Sequence, residues 1–282
     1  MSQQLVNISD TAVLARAELD TQITTAKAYP RKAKDFIQRA TALATMDVET
    51  AESCFYCLVR EGKDGKRSEI KGPSIRLAEI AASCWGNLHA GTRIIENDGK
   101  FITAEGVAWD LEANVKITAQ VKRRITTKSG HTYGDDMQQV TGNAACSIAL
   151  RNAIFKVLPR ALVDRVYESA AKFAVGDSKS LSARINKVFD RFSLMGVDQK
   201  KILSFFKKKS NNEFNANDLE QLIGIGTAIK DGLQTIDSAF DLNVENIDLS
   251  VQDRILNNLN KSKQSQPDEG CDEAKGFFKE EQ

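Results

Sequence analysis

The chain has 282 residues, room for one large domain or two smaller ones around a sizeable core. Its apolar fraction of 41% and charged fraction of 27% are those of a soluble globular protein, and no apolar run is long enough to cross a membrane. Net charge is only +1, so any affinity for a polyanion must come from local clustering. Residues 1–175 hold 24 basic and 20 acidic side chains and residues 176–282 hold 15 and 18, a mild split from basic to acidic. The opening Met1-Ser2-Gln3-Gln4 lacks the basic and apolar regions of a signal peptide, so the expected location is cytoplasmic.

Residues 8–44 read as helical. Val13, Leu14, Ala17, Leu19 and Ile23 recur at helical spacing, Pro30 interrupts, and Phe36, Ile37 and Ala40 resume the pattern. The basic cluster Lys27, Arg31, Lys32, Lys34 and Arg39 is either a solvated helix face or a contact to a phosphate backbone or a neighbouring subunit. Ser53 to Val59 reads as a strand and Arg67 to Ile70 as its return, around a basic tip that includes Lys66 and Arg67. Cys54 and Cys57 form a lone Cys-x-x-Cys. A structural zinc site wants four ligands and a redox pair wants a strand-to-helix context, so the two are read as small apolar side chains around a strand. Ser74 then caps a helix that ends at Trp85-Gly86.

Three strands are expected next, over Leu88 to Ile95, Phe101 to Asp110 and Asn114 to Thr127, with a hairpin at Asn97-Asp98-Gly99. Between Ala113 and Gly134 stand Lys116, Lys122, Arg123, Arg124 and Lys128, with no Asp or Glu. Alternation puts Ile117, Ala119, Val121 and Ile125 on one face of a strand and Lys116, Thr118, Gln120, Lys122 and Arg124 on the other. Such a two-faced strand is an ordinary solvated sheet surface or a seat for a phosphodiester backbone. Asp135 is expected to cap a long helix with Gln138 as its capping-box partner, and Pro159 to bound or kink it near Leu158. Met137, Val140, Ala144, Ile148, Phe155 and Leu158 approximate an apolar stripe along it. Ala145, Ala149 and Ala153 permit close packing on a sheet or a neighbouring subunit, and Asn152, Lys156 and Arg160 are spaced to share a face.

Hairpin, helix, three-stranded antiparallel sheet and long basic helix, over residues 50–175, resemble the core of the single-strand annealing superfamily: the phage RecT/Redβ and Erf recombinases and the related eukaryotic annealing recombinase. The segment Gly142-Asn143-Ala144-Ala145-Cys146-Ser147-Ile148-Ala149-Leu150-Arg151-Asn152-Ala153-Ile154 is similar to the Ala-rich helix of the Erf and eukaryotic branches. Arg151 matches a basic position there. Asn152 departs from the eukaryotic branch, which has a second basic residue, and the next basic residue here is Lys156. The resemblance implies an ATP-independent, non-enzymatic protein of DNA recombination and repair, without metal or cofactor. It would form homo-oligomeric rings or filaments, bind single-stranded DNA along a basic groove and anneal it to a complement. Lys66, Arg67, Lys116, Lys122, Arg124, Lys128, Arg151, Lys156 and Arg160 are the candidate DNA-binding residues.

Residues 180–245 are expected to form a helical C-terminal domain. Ile185, Val188, Phe189 and Phe192 make a stripe ended by Gly196, and Asp198 and Asn215 cap two further helices. By the same resemblance this domain would dock an exonuclease or a single-strand-binding protein. Gly224 to Lys230 lacks the spacing of a phosphate-binding loop. Residues 257–282 read as a disordered tail, with Phe277-Phe278 as a docking peptide, a partner of the basic groove or an incidental pair. The expected organisation is an N-terminal helical segment over 1–49, an α+β annealing core over 50–175, the helical domain and the tail. Two other classes stay open. One is a double-stranded RNA- or DNA-binding module without annealing activity, against which the acidic helix start Asp135-Asp136 counts. The other is a nuclease-type DNA enzyme, for which no metal-ligand cluster is legible.

Overall fold

The computed structural model describes residues 8–61, 67–127 and 129–240. The core of the fold is α+β, as the residue patterns predict. Helices α1 (Ile8–Ala28), α2 (Ala33–Ala44) and α3 (Val48–Ser53) lead into a hairpin of β1 (Phe55–Glu61) and β2 (Arg67–Pro73), and α4 (Ile75–Trp85) follows. Then β3 (Leu88–Asn97), β4 (Phe101–Asp110) and β5 (Val115–Arg124) form a separate antiparallel sheet in the order β3-β4-β5. The long α5 (Asp135–Val157), α6 (Arg160–Val175), α7 (Leu181–Leu194), α8 (Gln199–Phe206), α9 (Ala216–Lys230) and α10 (Ile236–Phe240) complete the described chain. Among the described residues no helix is long and apolar enough to cross a membrane.

Local chemistry sets several of these boundaries. The Ser74 hydroxyl accepts from the Leu77 N–H at the start of α4, Asp198 accepts from Lys200 N–H at α8, and Asn215 and Asp218 form a reciprocal capping box at α9. Gly196 takes φ +83° just past α7, the left-handed turn that glycine makes without strain. The start of α5 differs from the sequence reading. Gly134 is the N-cap and Asp135 the first helical residue, because the Tyr133 N–H bonds back to the Ile125 carbonyl and fixes where the chain turns. Gln138 therefore donates to the Tyr133 carbonyl at 2.9 Å instead of closing a capping box.

Helix α5 lies across one face of the three-stranded sheet. The residues buried there are small: Ala145 and Ala149 meet Ile102 and Ala104, while the larger Val140 of the expected apolar stripe stays 38% exposed. The approach is close enough that a Cβ at Gly106 of β4 would fall 2.3 Å from the Ala149 backbone. Backbone-to-backbone contact of this kind needs glycine on the strand and alanine on the helix.

Helices α2 to α4, β1, the end of α5 and helices α6 to α10 pack into one continuous apolar cluster, running from Phe36 of α2 to Phe240 of α10. Helix α9 lies against β1, where Gly224 stands so near that an added Cβ would be 2.8 Å from Cys57. Cys54 and Cys57 are both fully buried here, and burial pushes each thiol up to about 12, so they act as core side chains. The sheet is bolted to this core at Asp110. The carboxylate accepts a two-pronged contact from the Arg31 guanidinium and a 3.0 Å bond from Trp85 Nε1, and Trp85 packs edge-on against Phe36 at 5.2 Å. Arg31 thus leaves the basic cluster of the sequence reading and becomes a structural residue.

Candidate nucleic-acid interface

The second face of the three-stranded sheet, opposite α5, carries the basic ribbon. Register pairs Trp109 with Lys116, Val107 with Thr118, Glu105 with Gln120, Thr103 with Lys122 and Phe101 with Arg124. Across the other edge of β4, Trp109 faces His89 and Glu105 faces Arg93. Because pleating sends alternate side chains to one side, all of these project away from α5. Lys116, Lys122, Arg124 and Arg93 are exposed. Helix α1 meets this surface at the β3 corner, where Gln22 Oε1 lies 3.0 Å from His89 Nδ1 and Leu19 helps to line a hollow of about 330 Å³ beside Trp109 and Lys116.

Neighbouring strands supply acids that the ribbon itself lacks. Lys122 Nζ lies 3.5 Å from Asp98 and 4.0 Å from Glu96, and Arg93 bonds Glu105 at 2.8 Å. Asp98 is first of all a turn residue. Its carboxylate accepts the backbone N–H groups of Phe101 and Lys100, which hold its pKa below the usual range. Glu105 is likewise held low by bonds from Arg93 and Gln120. These are exposed ion pairs, weak in water and screened by salt, so the cations remain able to exchange partners with a polyanion.

Two aromatics share the face. Lys122 Nζ sits 5.0 Å and Arg124 Cζ 5.8 Å from the centre of the Phe101 ring, and Lys116 Nζ sits 5.5 Å from that of Trp109. Both rings are half-buried, and the Trp109 indole donates to Asn114 Oδ1 at 3.3 Å. The sequence reading missed Arg93, Phe101 and Trp109. The period of two along β4 was the signal, since it places Phe101 and Trp109 with Thr103, Glu105 and Val107 rather than with the apolar Ile102, Ala104 and Ala108.

The remaining candidate residues divide. Arg151 lies on α5, away from the open sheet face, with its guanidinium 4.8 Å from the Tyr56 ring of β1 and bonded to Asn152 Oδ1 at 3.2 Å. Lys156 is exposed in the last turn of α5. Arg160 does not continue that helix, because Pro159 breaks it: Arg160 opens α6 and pairs with Asp164 at 2.6 Å, so the expected face of Asn152, Lys156 and Arg160 is interrupted. Lys66 and Lys128 lie outside the described residues, as does the Arg67 side chain, although its backbone is in β2. Alternation puts Arg123 on the apolar side of the strand or at a subunit seam; it pairs with Ile102, on the α5 side. Its guanidinium donates to the Gly232 carbonyl at 2.7 Å, tying the end of β5 to the loop after α9, and burial lowers its pKa.

Among the described residues no group of three or more His, Cys, Asp or Glu side chains is placed to hold a metal ion. Comparison with family models, with curated proteins and with solved structures finds no match to this chain.

Proposed function

We propose that the protein binds single-stranded DNA and anneals complementary strands without nucleotide hydrolysis. In this reading it is a recombination protein of the phage-type annealing kind, working in the cytoplasm as a homo-oligomeric ring or filament and not as an enzyme. The observation that carries the reading is the open sheet face, on which Lys116, Lys122 and Arg124 line one side of β5 while the other side is sealed by α5. Cations of this kind hold a phosphodiester backbone irrespective of sequence, and a strand held by its backbone keeps its Watson–Crick edges for a complement. Arg151, beside Tyr56 of the hairpin, the exposed Lys156 and Arg160 at the start of α6 are separate further candidate contacts for the strand, and α7 to α10 are the proposed contact for an exonuclease or single-strand-binding partner. The exposed acidic start of α5, Asp135-Asp136, argues against a double-stranded-RNA module, which needs cations there.

The electrostatic part is tested by titrating a labelled single-stranded oligonucleotide over a range of salt. Lys122→Ala and Arg124→Ala should each weaken binding and reduce the slope of log affinity against log salt by about 0.7–1 per lost phosphate contact. Slopes equal to that of the wild type in both variants would remove the sheet face from the interface.

A further inference from the structure

We infer that the open sheet face binds nucleobases as well as phosphates, with Phe101 and Trp109 as two stacking platforms. The inference rests on the single-strand reading above and assigns the residues that grip the strand. Phe101 and Trp109 stand at the two ends of β4 on the same side of the sheet, eight residues apart, which is about 27 Å of strand. Each is half-buried on the face away from α5 and takes no part in the α5 core. Each has a cation at its ring, Lys122 and Arg124 at Phe101 and Lys116 at Trp109.

That pairing fits a nucleotide, which presents a flat π-surface and an anion a few ångströms apart. A base stacks on the ring, and the neighbouring cation turns from the ring to the adjoining phosphate. Stacking is sequence-tolerant, because every base has a π-face. A span of about 27 Å corresponds to roughly eight nucleotides at the 3.4 Å spacing of one strand in a duplex, and fewer in an extended strand. That falls within the 4–16 nucleotides on the order of which single-strand folds occupy. Two platforms pin the strand at its ends over the sheet and leave the bases between them unstacked. The middle of the face suits this. Thr103 and Val107 are compact, and the Glu105 carboxylate has its countercharge in Arg93 and accepts a bond from the Gln120 amide.

The test compares a single-stranded oligothymidylate with an abasic strand of the same length and charge. The wild type should bind the thymidylate strand more tightly, by about 5- to 150-fold per engaged platform. Phe101→Leu and Trp109→Leu, which keep apolar bulk but remove the π-face, should each lose part of that preference with the salt slope unchanged, and Trp109→Phe should retain most of it. Trp109 emission should be quenched on binding. Trp85 is 7% exposed and bonded to Asp110, so it contributes little to that signal. Equal affinity for the two strands, or leucine variants that keep the full preference, would overturn the stacking platforms while leaving backbone binding intact. Binding of neither strand overturns both.

Discussion

Gly106→Ala should destabilise the protein by about 3 kcal/mol or more, the upper end of what overpacking costs. The new methyl would lie 2.3 Å from the carbonyl carbon and oxygen of Ala149 and 2.5 Å from the Leu150 nitrogen. These are backbone atoms of a long helix, so no side chain can swing aside. Relief requires lifting α5 from the sheet, which opens the contact of Ala145 and Ala149 with Ile102 and Ala104. Gly142, also buried and only a turn of helix away from Ala145, is the control. A Cβ there would meet Ile94 and Ile102 at 3.7 and 3.8 Å, ordinary contact distances. Gly142→Ala should therefore gain roughly 0.5–1 kcal/mol from helix propensity alone. Urea unfolding of the two variants measures both signs. A Gly106→Ala protein within about 0.5 kcal/mol of wild type would mean that α5 does not sit on the sheet as described.

The second large effect is at Arg31. Removing this guanidinium leaves the Asp110 carboxylate, 5% exposed, with its hydrogen bonds from Trp85 and from the backbone of Ala113 but no countercharge. Breaking a buried pair in this way costs about 3–5 kcal/mol, and Arg31→Ala should lose that much. The same pair sets an acid limb. Burial alone would raise the Asp110 pKa, but the bonds from Arg31, Ala113 N–H and Trp85 outweigh it and hold the group at about 2, against an ordinary 3.8. A carboxylate depressed in the folded state stabilises it fully above its unfolded pKa. That stability, roughly 2 kcal/mol, is lost as pH falls from about 4 towards 2. Asp110→Asn should flatten this part of the stability–pH curve. An unchanged curve would assign acid sensitivity to other carboxylates.

The contrast between these two sites shows what a sequence discloses. Ala145 and Ala149 announce a close approach because the spacing of small residues on one helix is visible in the chain. The turn at Asn97-Asp98-Gly99 and the caps Ser74, Asp198 and Asn215 are legible for the same reason, since each partner lies within a few residues. Arg31 and Asp110 are 79 residues apart, and nothing local distinguishes Arg31 from Lys32 or Lys34 beside it. The ribbon on β5 was likewise legible as a face, but its electrostatic surroundings were not. Glu96, Asp98 and Glu105 come from β3, β4 and the turn between them, and their positions depend on a register that includes the irregularity between Ile94 and Glu96. The packing of α9 on β1 is longer-range still. Its only trace in sequence is a glycine at 224 whose neighbour, Cys57, is 167 residues away.

The measurement that bears most directly on the proposed activity is the pairing of two complementary dye-labelled oligonucleotides, followed by energy transfer without ATP. The wild type should accelerate pairing well above the protein-free rate at some ratio of protein to nucleotide. A Lys116→Ala, Lys122→Ala, Arg124→Ala triple variant with unchanged thermal unfolding should lose most of that acceleration. A wild-type protein that leaves the pairing rate unchanged at every ratio, or a folded triple variant that anneals as fast as wild type, would contradict annealing on the open sheet face.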